Sequence, residues 1–139
     1  MDDAVAGYGA ASESNDIDAL MATLAPDVEV VSPLSGRMVF RGHDDVRILL
    51  GAVYSTVREM RWNEKVGDGP AQILVGTFKI GPLRASDAMA FDLDAHGRIG
   101  RVRPHLRPWL ATTLFALLLG PRVARHPGVL WRALRGGPG

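Results

Sequence analysis

The chain predicts an α+β domain in which helices come first and a curled antiparallel sheet follows, and two changes of pattern predict it. Up to residue 57 apolar side chains recur mainly at helical spacing; from Arg58 the period falls to two, with short Gly and Pro turns between segments. After Arg107 comes an apolar stretch without acids that adds two helices. With 139 residues and no cysteine, this is one domain that buries a core without disulfides. The missing cysteines exclude thiolate nucleophiles and cysteine zinc sites and fit a reducing interior. Residues 1–6 have neither the basic lead nor the apolar core of a signal peptide, so a cytoplasmic protein is expected.

Residues 2–14 read as a weak helix. Val5, Tyr8 and Ala11 or Ser12 keep a helical stripe, while Gly7 and Gly9 lower its propensity, so tertiary packing must hold it. Asn15 or Asp16 then caps a helix carrying Ile17, Leu20, Met21 and Leu24, with Pro26 as its stop. Val28 to Val31 reads as a strand, residues 32–36 as a turn and Met38 to Arg41 as a short extended piece. Gly42-His43-Asp44 opens a helix with Val46, Leu49, Leu50 and Val53 on one face, with His43 as a cap or surface residue.

Four strands are then expected, at Arg58 to Val66, Gln72 to Ile80, Arg84 to Asp94 and Arg98 to Leu106. Pro108 to Leu119 reads as a buried helix stopped at Gly120-Pro121; at about 12 residues it falls short of the ~20 that span a bilayer. Gly128 to Leu134 forms a second, amphipathic helix, and residues 136–139 are expected to be disordered. Residues 1–107 thus form the main body, with 108–135 as a helical extension of the same domain. The extension is expected to cover a cavity mouth or a dimer seam, and a place in a membrane interface is the lesser alternative.

Residues 1–94 hold all 15 acids against 8 basic residues, whereas residues 95–139 hold 8 arginines and no acid. The arginines are spread out, with no lysine, aromatic or glycine-rich recognition pattern, so docking against the acidic half or a second subunit is expected rather than nucleic acid.

His43, His96, His105 and His126 have no metal-ligand spacing, and neither a phosphate loop nor a nucleophile elbow is present. No metal or cofactor is expected. Asp87 stands out because it shares its parity with Ala85, Met89, Phe91 and Leu93, which puts a carboxylate on an apolar strand face. Such a group must be paired, hydrogen-bonded or kept protonated. A bulge or strand start that turns it to water is the equal alternative. Tyr8, Ser32 and His105 are further isolated polar residues on apolar elements, the ordinary ingredients of a small-molecule site.

The segments Asp16-Ile-Asp-Ala-Leu, Leu24-Ala-Pro-Asp-Val28, Ser32-Pro33, Arg41-Gly-His-Asp44 and Asp94-Ala-His-Gly-Arg-Ile99 resemble the nuclear transport factor 2-like superfamily over residues 4–106. Within it the steroid isomerase and polyketide cyclase (SnoaL-like) branches are the most similar. The resemblance implies a cone, a curved sheet closed by helices around a deep apolar pocket, and a homodimer through the sheet. It implies that Tyr8, eight residues before Asp16, is the oxyanion-binding tyrosine. It also implies that Asp87, in Asp87-Ala-Met-Ala-Phe-Asp92, is the acid held protonated as a second donor. The family's general base directly precedes the proline after the first strand, and here that position is Ser32, which cannot move a proton at neutral pH without a base of its own. His105 is a possible proton carrier by type, but it shares parity with Arg101 and Arg103, opposite Val102, Pro104 and Leu106. Epoxide hydrolysis is disfavoured because Pro104 stands where that branch has its second aspartate.

The expectation is therefore a cofactor-free isomerase or cyclase for an apolar, carbonyl-bearing, steroid- or polyketide-like metabolite. Tyr8, Asp87 and Ser32 would be its catalytic set, with Leu24, Leu50, Trp62, Met89, Phe91, Val102 and Leu106 against the ligand. The alternative is a non-catalytic module, lacking the base, that binds a hydrophobic ligand or a partner chain.

Overall fold

The computed structural model describes residues 3–35 and 37–135, so Gly36 of the expected turn and the expected disordered tail 136–139 lie outside the described residues. Five helices and six strands follow the expected order. Helix α1, Ala4–Glu13, starts at Asp3, whose side chain accepts the Ala6 amide at 2.8 Å. Helix α2, Ile17–Ala22, starts at Asp16, which accepts from Ala19 N at 3.0 Å. Both caps satisfy amides that the first helical turn leaves open.

Helix α2 ends at Ala22, earlier than Pro26 suggested, because the chain enters strand β1, Leu24–Val31, at once. Exposed Pro26 lies where the register of β1 shifts between Leu24 and Glu29, at an irregularity that tolerates a missing amide hydrogen. Strand β2, Val39–Arg41, pairs with β1, and Gly42, at φ 85°, then turns the chain into helix α3, His43–Thr56. His43 bonds Leu24 O through its ring Nε2 at 3.0 Å.

Strands β3 (Arg58–Val66), β4 (Ala71–Ile80), β5 (Leu83–Leu93) and β6 (Ile99–Arg107) form the antiparallel meander. The sheet order is β2-β1-β6-β5-β4-β3, and β1 runs parallel to β6, so the sheet is mixed where a purely antiparallel one was expected. The chain reaches this parallel pairing only after the whole meander has been built, a long-range closure that no local pattern encodes. Gly76 on β4 faces Trp62 on β3, and a Cβ there would lie 2.3 Å from Arg61 O. The glycine thus permits the close approach that β3 makes as it bends.

The sheet does not close into a barrel, its edges being β2 and β3, and the helices cover its apolar face. Helix α4, Trp109–Ala124, runs through Gly120-Pro121 instead of stopping there. Leu119 and Val123, one turn apart on either side of the proline, are both buried, and this packing outweighs the lost backbone bond. At the disturbed turn the Arg122 guanidinium donates to Leu118 O at 2.9 Å and to Thr56 Oγ1 at 3.2 Å. Helix α5, Pro127–Arg135, has the proline in its first turn, where its missing amide hydrogen costs nothing. Arg132 joins it to the start of α3 through two hydrogen bonds to Asp45, at 2.7 and 2.8 Å. Among the described residues no helix is long and apolar enough to cross a membrane.

Candidate active site

Between the sheet, α1, α3 and α4 lies a cavity of about 210 Å³. Its wall is apolar apart from a few groups: Tyr8 from α1, Tyr54 from α3, Asp87 from β5 and Ser32 after β1. Asp87 comes to point inward because the alternation of β5 holds along its length, with Ala85, Asp87, Met89 and Phe91 all buried. Of the two orientations open from the sequence, the structure has the inward one.

Asp87 is 5% exposed, and its Oδ1 accepts the backbone amide of His105 at 3.3 Å. Burial raises its pKa to about 7, against the opposing pull of that bond. Near neutral pH the group is therefore poised between acid and carboxylate. In its protonated form it has an O–H to donate.

The Tyr8 and Tyr54 hydroxyls lie 2.9 Å apart, so one donates to the other. With Tyr54 as the donor, the Tyr8 proton is free for a ligand. Burial pushes the pKa of Tyr8 well up, with the neighbouring Tyr54 and the Asp87 charge adding to it. Tyr54 is raised as well, first by burial. Both phenols thus stay neutral donors over the physiological range. The Tyr8 ring is held by the edge of Phe91, with centroids 5.0 Å apart.

Ser32 reaches the cavity wall, but its Oγ accepts the Leu34 amide at 3.1 Å and so braces the turn. No histidine or lysine lines the cavity among the described residues, and Asp87 is the one carboxylic acid there. Pro104 is part of the wall, so the position opposite Met89 offers no second carboxylate.

Tyr8, Asp87, Ser32, Leu50, Met89, Val102 and Leu106 are thus brought together. Four expected residues are not on the wall. His105 is exposed on the outer face of β6, with ring Nδ1 3.2 Å from Ala88 O, as its parity with the arginines implied. Its contribution to the site is its backbone amide, not its imidazole. Trp62 lies over Gly76 and donates from Nε1 to Ser12 Oγ at 2.8 Å, fastening β3 to α1 outside the cavity. Leu24 is core packing at the start of β1, and Phe91 stands behind Tyr8.

Tyr54 is the polar wall residue that sequence reasoning missed. Its signal was present: it lies four residues after Leu50 and so extends the apolar stripe of α3. Phe115, Leu119 and Val123 of α4 and Leu130 of α5 complete the enclosure, so the extension covers the cavity.

No protein-family model matches the chain, and no curated protein does. Solved structures do. An uncharacterised protein with a cystatin-like fold from Silicibacter pomeroyi is 25% identical, with a TM-score of 0.84 over 91% of both chains. A steroid delta-isomerase from Pseudomonas aeruginosa is 20% identical, with a TM-score of 0.80 over 90% of this chain and 92% of that one. A candidate SnoaL-like polyketide cyclase from Shewanella denitrificans is 14% identical, with a TM-score of 0.62 over 79% of this chain and 91% of that one. Together with matches described as NTF2-like, these establish the nuclear transport factor 2-like fold.

Proposed function

We propose that the protein is a cofactor-free enzyme that binds a compact apolar ketone or enone and assists its isomerisation or cyclisation. Tyr8 and protonated Asp87 would share the carbonyl oxygen, stabilising the negative charge that grows there as an enol or enolate forms. The observation that carries this reading is Asp87, a neutral-prone acid on the same apolar wall as the Tyr8–Tyr54 pair. The steroid isomerase and cyclase likenesses support the reaction class.

At about 210 Å³ the cavity lies below the ~300 Å³ at which drug-sized pockets begin, which favours one or two rings over a steroid skeleton. With Ser32 bracing its turn and no second base on the wall among the described residues, a cavity water would take the proton from the carbon beside the carbonyl and return it to the γ-carbon, while Asp87 stays protonated at the oxygen. A cytoplasmic homodimer formed through the sheet completes the reading.

The test is turnover of a panel of β,γ-unsaturated cyclic ketones. Tyr8→Phe and Asp87→Asn should each lower kcat by on the order of a hundredfold. Turnover unchanged in both variants would refute the donor assignment. Tight ligand binding without turnover in the unmodified protein would instead favour the non-catalytic reading, to which the serine in the base position points.

A further inference from the structure

Helix α4 presents two apolar faces. One face, with Ala111, Phe115, Leu119 and Val123, is buried against the body. The other carries Trp109, Leu110 and Leu117 at 77, 54 and 68% exposure, with Thr113 and Pro121 beside them at helical spacing and not one charge among them. Helix α5 packs against α4 and adds Trp131 and Leu134, 61 and 54% exposed. Large side chains left in water at this density on a single-domain protein mark a docking surface.

The charges around this surface indicate what docks. Arg107 precedes the exposed face of α4, Arg125 ends that helix and Arg135 ends α5; none has an ion-pair partner among the described residues. Arg135 lies over the Trp131 ring, 5.9 Å from its centroid. No acid occurs anywhere from residue 95 to 139. A second copy docked through the same patch would set these arginines against their own counterparts, with no acid in either extension to offset them. An anionic lipid surface meets both requirements. It accepts tryptophan and leucine side chains at the acyl boundary and attracts arginines at headgroup level.

We propose that the outer face of α4 and α5 docks on an anionic membrane surface, lying in the interface without crossing it. The inner face of the same helix is cavity wall, so an apolar ligand dissolved in the lipid would sit within one helix of its site. Docking itself does not depend on the reaction assigned above: it would survive the failure of that assignment, and its own failure would leave the donor pair untouched.

The test is co-sedimentation of the full chain with vesicles of phosphatidylcholine alone or with about 30 mol% phosphatidylglycerol, read together with tryptophan emission. Anionic lipid should raise the bound fraction about tenfold, with a blue shift, and roughly 0.5 M salt should reverse most of it. Trp109→Ser with Leu117→Ser, neither of which lines the cavity, should abolish binding while the thermal midpoint stays within a few degrees. Arg125→Gln with Arg135→Gln should remove the preference for anionic lipid. The proposal is overturned by equal sedimentation with both vesicle types, by binding that survives the Trp109 and Leu117 substitutions, or by a solution dimer that those substitutions dissociate.

Discussion

Replacing Asp87 by Asn should change how stability depends on pH, in a direction opposite to that of most carboxylates. In the folded chain the Asp87 pKa is about 7 against an ordinary 3.8, so between these values the folded state holds a proton that the unfolded state has released. Stability therefore falls as pH rises from about 4 to about 7 and is level on either side. Three pKa units at about 1.4 kcal/mol each put the upper bound at roughly 4 kcal/mol, since cavity water can relieve part of it. Asp3, Glu59 and Asp94, whose pKa values are lowered, act the other way, losing stability as pH falls. The difference between the two proteins isolates Asp87, because the amide keeps the oxygen that accepts the His105 amide and cannot ionise. Denaturant midpoints at pH 4.5 and pH 8 are the assay. The Asn variant should match the parent at the lower pH and exceed it by ~2–4 kcal/mol at the higher. Parallel pH profiles for the two proteins would show that Asp87 is ionised in the fold and would undo the donor assignment.

Tyr54→Phe should leave the fold intact and weaken the donor pair, lowering turnover less than Tyr8→Phe does; a larger loss in Tyr54→Phe would make Tyr54 the ligand's direct partner. Gly76→Ala should cost ~2–3 kcal/mol or more in a urea titration, because its Cβ would meet Arg61 O and the Trp62 ring at 2.3 and 2.8 Å. Phe115→Ala should lower stability by ~3–5 kcal/mol and extend binding to bulkier ketones, measured by calorimetry, since the ring is a buried part of the cavity wall. Sedimentation velocity at micromolar concentration should give twice the 15.0 kDa chain mass, and a monomer would refute the dimer.

The helix and strand order could be read from the sequence because each element carries its own period and its own punctuation. Asp16, one of the two caps expected, starts α2, and Gly42 and Gly67 take positive φ at element ends. What escaped reading is long-range. Pairing of Leu24 with Ile99 makes β1 and β6 parallel, and burial of Leu119 and Val123 carries α4 through Pro121. The candidate site divides the same way. Strand alternation grouped Asp87 with Met89 and Val102 with Leu106, and left the inward and outward orientations of Asp87 equally open. It could not show that Trp62, equally apolar, spends its ring on Gly76 and Ser12, nor that Tyr54 would meet Tyr8 across 46 positions of chain.

The most direct test of the donor pair is the infrared carbonyl stretch of a small cyclic ketone bound in the cavity at pH 6, where Asp87 is mostly protonated. The stretch should lie clearly below its value in a hydrocarbon solvent, and Tyr8→Phe and Asp87→Leu should each restore part of the difference. A bound ketone with the same frequency in all three proteins would show that the two residues share a wall without sharing an oxygen.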